Sequence, residues 1–483
     1  MDLEREPAQG GHGAWAGRGP ARFYAVYAAC LTLVLVYLSE YISFRDQGDF
    51  ARAVGGMLQF PEGGIGKPSQ MQWYFRPEGF FPIAQFDMAA YAFRALGYGA
   101  RAFSGSMQLW MVSIPAKLLV AAGIHLLASA YARPFRARYS VQAVAFGCLA
   151  VAVFQAHNVG MLKSFYSEVL FFVFFIALLA GMVGWPRKGS GLLVVVAAVG
   201  AGLSKTQYFY LPLLVSLCLL AVHWRRSCAV PWRLAAWLLA GQLVCVLPAL
   251  HNPYAQLNYH HSTYFGSYLV QTPAQLKALG LTPRQQACVG IDGFGVRADG
   301  PGGSRPYRKG ISCYGDSKQR LRDVLAPYWH DPLTLWRLAV HALPAHFTVG
   351  YFHVFRDLFY VTPAGDAFGP GAVLLQVTAW REHTVTRWAV PLLLAGLVLA
   401  WRLRKTQDAM LAAPILFLAA FAMTQAAIAL VGEGIRDLSK HLWAAQLALD
   451  LLVVALLGQV GLWVASYRAR ARESLQRRTA QLP

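Results

Sequence analysis

Residues 23–50 read FYAVYAACLTLVLVYLSEYISFRDQGDF. The stretch 23–42 is almost wholly apolar and matches the roughly 20 residues a helix needs to cross bilayer hydrocarbon. Directly beyond it, Arg45-Asp46-Gln47-Gly48-Asp49 sets two carboxylates beside a guanidinium. Charge at such a boundary costs desolvation unless it is paired or binds something. The apolar run decides the fold, and Asp46 and Asp49 mark where chemistry is expected.

The rest of the chain repeats the pattern. Of 483 residues, 56% are hydrophobic and 14% are charged, against about 25% charged in soluble domains. Apolar runs near 23–42, 107–131, 140–157, 168–185, 190–204, 208–223, 234–250, 386–402, 410–431 and 442–465 predict an all-α polytopic membrane protein of about ten transmembrane helices. The net charge of +20 is distributed as a topology signal. Arg133, Arg136 and Arg138, Arg187 and Lys188, Arg225, Arg226 and Arg233, and Arg402, Arg404 and Lys405 all fall on one side of those spans. So does the tail with Arg468, Arg470, Arg472, Arg477 and Arg478. This positive-inside bias puts both termini in the cytoplasm, makes anionic membrane lipid the expected electrostatic partner, and argues against nucleic acid.

The chain divides accordingly. Residues 1–22 read as a disordered cytoplasmic leader, 23–250 as an N-terminal membrane bundle with a first outer loop at 45–105, and 251–385 as a large second outer loop. Helices at 386–465 and a basic cytoplasmic tail at 466–483 complete it. In the first loop Ile83, Phe86, Ala90, Phe93 and Leu96 recur at helical spacing, predicting an amphipathic helix on the membrane interface or packed on the loop. In the second loop Cys288 and Cys313 are expected to pair in an oxidising compartment. Cys30, Cys148, Cys218 and Cys245 in spans, and Cys228 in a cytoplasmic loop, read as small apolar residues or idle thiols. Leu333–Val361, interrupted by Arg337, His341, Pro344, His346 and Arg356, reads as an interfacial or re-entrant helical pair, because one more crossing would invert the later charge bias.

This topology carries four polar clusters to one membrane face. They are Arg45-Asp46-Gln47-Gly48-Asp49, then His157 to Glu168 with Lys163 and Tyr166, then Ser204-Lys205-Thr206-Gln207-Tyr208, and finally Glu433-Gly434-Ile435-Arg436-Asp437-Leu438-Ser439-Lys440-His441. A transferase using a phosphate-linked donor needs cations to stabilise the leaving phosphate. Lys163, Lys205, Arg436 and Lys440 are the candidates. It also needs a carboxylate to take the acceptor hydroxyl's proton. Asp46 or Asp49 can do this, while the other orients the acceptor or holds a divalent cation, Mg or Mn. Arg45, His157, Tyr166, Glu168, Gln207, Tyr208, Glu433, Asp437 and His441 are candidates for substrate binding. Plainer roles stand beside these. Lys440 and Arg436 also suit snorkelling anchors, Glu168 suits pairing with Lys163, and the aspartates suit an ion-pair network with Arg45 and Arg52. Within the bilayer, Lys117 and Asp450 are expected to pair with each other or with neighbours such as Gln446.

The order of these motifs resembles the polytopic lipid-sugar-dependent glycosyltransferases of the GT-C fold, and within them bacterial WsfD-type hexose transferases. The pieces that match are Arg45-Asp46-Gln47-Gly48-Asp49-Phe50, Ser164-Phe165-Tyr166-Ser167-Glu168, Ser204-Lys205-Thr206-Gln207-Tyr208, and Asp437-Leu438-Ser439-Lys440-His441 with Asp450 beyond. The resemblance implies a polyprenyl-phosphate-sugar donor, a glycan or lipid-linked acceptor, inversion at the anomeric carbon, and a base from the first loop. It also implies a multi-pass protein of the bacterial inner membrane with its active site facing the periplasm. GT-C enzymes often end in a soluble domain, whereas this chain ends in a basic tail; the cysteine-bearing middle loop is expected to serve acceptor recognition. Two other classes stay open. An O-antigen ligase or polymerase would rely on residues such as His353 and Arg356. A lipid-linked-sugar flippase would rely on Lys117 and Asp450.

Overall fold

The computed structural model describes residues 18–44, 53–59, 72–77, 87–133, 135, 137–185, 187, 189–223, 232–252, 254–299, 303–306, 313–314, 319–344, 360–361, 372–404, 409–436 and 438–479. Among these, six helices are long and apolar enough to cross a membrane: Gly19–Ser39, Trp110–Ala132, Trp232–Leu250, Ala372–Leu403, Leu411–Glu433 and Trp443–Val464. A seventh arises if Arg138–Val153 and Ala156–Leu162, which meet at 77°, form one broken span. The apolar helices Glu168–Gly184, Ser190–Ser204 and Thr206–Val222 are shorter. The expected apolar runs are therefore helical, the 140–157 run in two pieces, and six or seven spans among the described residues have the length and composition to cross. Their outward faces carry Leu33, Leu118, Trp237, Leu243 and Trp463 exposed. This is a helical membrane protein.

The short helix Glu168–Gly184 is apolar all round because it sits at the centre. Phe171, Phe172, Phe175, Ile176 and Leu178 are fully buried there, as expected of a helix without a polar face. Small residues let its neighbours approach, the usual device of membrane helix packing. A Cβ on Gly123 would stand 2.8 Å from Ile176, and one on Gly181 would stand 3.0 Å from Val194. An aromatic column joins the centre to the later helices, with Phe171 stacked on Tyr208 at 3.9 Å and Phe175 against Phe421 at 5.0 Å.

Several boundaries differ from the sequence reading. The first helix begins at Arg18, inside the expected leader and ahead of its first buried residue, Tyr24. Ala372–Thr384 is helical and joins the next helix as one candidate span, although its residues fall in the expected loop 251–385. The expected span 140–157 stops at Val153, and His157 to Leu162 form a buried short helix rather than a surface loop. The first-loop helix is Met88–Phe103, capped by Asp87, which accepts from the amides of Ala89 and Ala90. Its apolar face packs on the protein: Phe93 meets Phe165 edge to face, and Gly97 lies beneath Met57. Ile83 and Phe86 lie outside the described residues.

The segment after residue 250 folds onto one end of the bundle. Helices Ala255–Tyr264, Leu321–His330 and Thr334–Leu343 bring Phe265, Leu338 and Ala342 against Leu430, Ile435 and Leu438. Cys288 and Cys313 form the expected disulfide, with Cα atoms 5.6 Å apart. Three antiparallel ribbons stitch the connections. Ser43–Phe44 pairs with Tyr360–Val361, Gln72–Tyr74 with Ser106–Gln108, and Val296–Asp299 with Gly303–Pro306.

Candidate functional site

Where the first helix ends, Glu40 gathers partners from two other elements. Its Oε1 accepts from Ser113 Oγ and Lys117 Nζ, each at 2.6 Å, and its Oε2 lies 2.9 Å from Lys163 Nζ. Lys163 also donates to the Glu40 carbonyl. Burial alone would raise the Glu40 carboxyl, but Lys117, Ser113 and Lys163 outweigh it and hold it below the ordinary carboxylate value. Two lysines thus converge on one carboxylate. Lys117 pairs here and not with Asp450. Asp450 instead binds Arg381 Nε at 2.7 Å, and Arg381 also donates to Gln446 Oε1 at 2.5 Å.

Five residues beyond Lys163, the central helix opens with Glu168. Its Oε1 lies 2.6 Å from Lys205 Nζ, so Glu168 pairs across helices and not with Lys163 along the chain. Its Oε2 is buried and has no hydrogen-bond partner among the described residues. The neighbouring Ser167 donates to Asp87. Burial raises the Asp87 carboxyl above its usual range, Glu168 adding to the rise while Ser167 and two backbone amides temper it.

The turn after Lys205 reaches the last cluster. Gln207 Nε2 donates to the His441 carbonyl at 3.1 Å, while Gln207 Oε1 lies 2.8 Å from His441 Nδ1. His441 Nε2 stands 2.6 Å from Glu433, and Lys205 and Lys440 both act electrostatically on that carboxylate. Gln425 also donates to the His441 carbonyl, at 3.0 Å, and accepts from Tyr210 at 2.8 Å. Arg436 Nη1 binds Asp292 Oδ2 at 2.9 Å. Lys440 is buried and Arg436 is held by a carboxylate, so neither is a snorkelling anchor.

Short contacts thus join Glu168 to Lys205 and Gln207 to His441 and Glu433, while Arg436 is held by Asp292, Lys440 is buried, Tyr208 stacks on Phe171 and Lys163 belongs to the Glu40 trio. His157 and Tyr166 are buried between these groups along the chain. Arg45, Asp46, Asp49 and Asp437 lie outside the described residues. Among the described residues, no group of three or more His, Cys, Asp or Glu is placed to hold a metal ion. The arrangement is a set of cations and carboxylates set against one another beside the apolar helices.

Sequence reading missed Glu40, Asp87 and Asp292. Glu40 had a signal, being a carboxylate inside an apolar run that needs a partner. Asp87 had one too, an aspartate before a helical pattern. Asp292 had none.

A protein of Escherichia coli strain K12, described as the uncharacterized protein YfdI, is 24% identical to this chain over 316 residues, covering 63% of this chain and 66% of that protein. The match thus spans slightly less than two thirds of that relative. No family profile and no solved structure match the chain.

Proposed function

We propose that the protein is an integral membrane glycosyltransferase of GT-C type. It moves a hexose from a polyprenyl-phosphate donor to a cell-surface or lipid-linked glycan, at the periplasmic face of a bacterial inner membrane. In this reading the chain crosses ten times, the three short apolar helices included, with both termini cytoplasmic. One observation carries the reading: the turn holding Lys205, which pairs with Glu168, meets the 433–441 segment that carries Arg436 and Lys440, through Gln207 bonded to His441 and His441 against Glu433. The Lys117–Glu40–Lys163 trio adds two more ammonium groups, Lys163 lying close to Glu168 in the chain.

Asp46 follows Glu40 by six residues in the chain. In the reaction the acceptor oxygen bonds the anomeric carbon while the bond from that carbon to the phosphate oxygen breaks. The hydroxyl proton passes to Asp46 or Asp49, and polyprenyl phosphate leaves with the electron pair, held by the cations. The intramembrane charges that a flippase would use are paired, Lys117 with Glu40 and Asp450 with Arg381.

The test is sugar transfer from labelled polyprenyl-phosphate donor by purified protein in lipid nanodiscs, with and without chelator. Asp46→Asn or Asp49→Asn should lower transfer by about 100-fold or more while the protein stays folded. Wild-type product from both variants removes the first loop from the mechanism.

A further inference from the structure

The loop closed by the disulfide grips the turn that carries the cations. Asp292 is buried, and its Oδ1 accepts from the amides of Phe294 and Val296 at 2.8 and 2.7 Å. That spends one carboxylate oxygen on fixing the 292–296 turn and aims the other at Arg436. The guanidinium also lies over Phe294, 5.5 Å from the ring centre. The same loop is tied to the disulfide, because the Ile291 amide donates to the Cys288 carbonyl and the Gly290 amide to the Tyr264 carbonyl. Tyr314, next to Cys313, packs edge-on against His260, whose ring bonds the Ile291 carbonyl at 3.1 Å.

A second grip comes from the helix Ala255–Tyr264. Ser262 donates to the Gly432 carbonyl at 2.5 Å, and the Ile435 amide donates to the Phe265 carbonyl at 2.9 Å. Gly434 sits at φ +62°, where a Cβ would be 2.3 Å from the Phe265 oxygen. The turn 432–436 is therefore moulded on the disulfide-closed module.

We infer that this module is a clamp on the site, in which Asp292 is the positioning residue for Arg436 and the Cys288–Cys313 bond holds Asp292 in place. Loss of the disulfide then loosens the cationic turn, so the site forms fully only in an oxidising compartment. The assignment of Arg436 to donor phosphate rests on the proposed function; the clamp itself does not.

The experiment is backbone hydrogen exchange of the full chain in nanodiscs of phosphatidylethanolamine and phosphatidylglycerol, without substrate. Asp292→Asn keeps an oxygen for the Phe294 and Val296 amides but removes the charge. It should speed exchange across 435–441 roughly tenfold, the loss of one partly buried ion pair. Arg436→Gln should do the same, and the double variant no more than either alone. A Cys288→Ser/Cys313→Ser variant should speed the same segment and leave 190–204 unchanged. Wild-type exchange in Asp292→Asn and in the cysteine variant, or additive effects of Asp292→Asn and Arg436→Gln, overturns the clamp.

In protein that transfers sugar, Asp292→Asn should raise KM for donor more than it lowers kcat, with Asp292→Glu restoring it. Exchange changes without any transfer remove the proposed function alone. Transfer with unaltered exchange removes the clamp alone.

Discussion

Glu40 is a single carboxylate answering two lysines, one of them with no exposed surface. Removing it strands Lys117 in an apolar bundle, where an isolated ammonium is strongly disfavoured. Breaking a buried pair from one side typically costs about 3–5 kcal/mol, whereas replacing both charges by apolar groups can be nearly neutral. Glu40→Ala should therefore lower the midpoint of denaturant unfolding sharply, and Lys117→Met added to it should recover much of the loss. Recovery is expected to be incomplete, because Lys163 still loses its carboxylate. An unchanged midpoint in Glu40→Ala contradicts the pairing. The same logic separates this trio from Asp450, whose partner Arg381 is also buried. Substitutions at Lys117 and at Asp450 are expected to act independently.

Among the elements, the turn 432–436 is closely confined, and neighbouring glycines provide the comparison. A Cβ on Gly434 would meet three backbone atoms of Phe265, Gly266 and His261 at 2.3–2.7 Å, whereas one on Gly432 meets nothing within 4 Å. Gly434→Ala also forces an L side chain into a left-handed backbone, a cost of about 1–2 kcal/mol before any clash. Thermal unfolding should thus fall well below wild type for Gly434→Ala and little for Gly432→Ala. Equal shifts would mean that the turn is not seated on the helix Ala255–Tyr264. The elements differ in how far sequence exposed them. Apolar runs were legible because length and composition report burial in lipid directly, and the Cys288–Cys313 bridge because two cysteines shared a loop. The ion pairs were not. Glu168 chose Lys205, 37 residues away, over Lys163 five residues before it, and that choice depends on which faces of two helices meet. Asp292 reaches Arg436 from a loop with no periodic pattern to read. The bend after Val153 was hidden for a similar reason: the Ala156 amide finds its partner in Thr378 Oγ1, 222 residues on.

At the scale of the whole molecule, buried histidines tie the module outside the apolar helices together, joining the helix Ala255–Tyr264 to the 290–296 turn. The Gly293 amide donates to His261 Nε2 at 3.1 Å, so that nitrogen must be unprotonated. Burial pushes His261 down to about 4, while Glu433 and Asp292 pull it up and His260 and Arg436 push it further down. Burial lowers His260 as well, against its bond to the Ile291 carbonyl and the charge of Asp292. The unfolded chain protonates His261 near 6.5, so between about 6.5 and about 4 it holds a proton that the folded form lacks. Stability from this group is complete above about 6.5, falls as pH drops through that window, and changes by roughly 3 kcal/mol in all. Acid should accordingly open the module before the lipid-facing helices, whose apolar burial does not titrate. Exchange of the Gly293 amide, followed from pH 7 to pH 4 with correction for intrinsic rates, should show protection declining below about 6.5. His260→Gln with His261→Gln should flatten that decline. A decline of the same size in the double variant would place the acid-sensitive group elsewhere and leave the two rings as neutral packing.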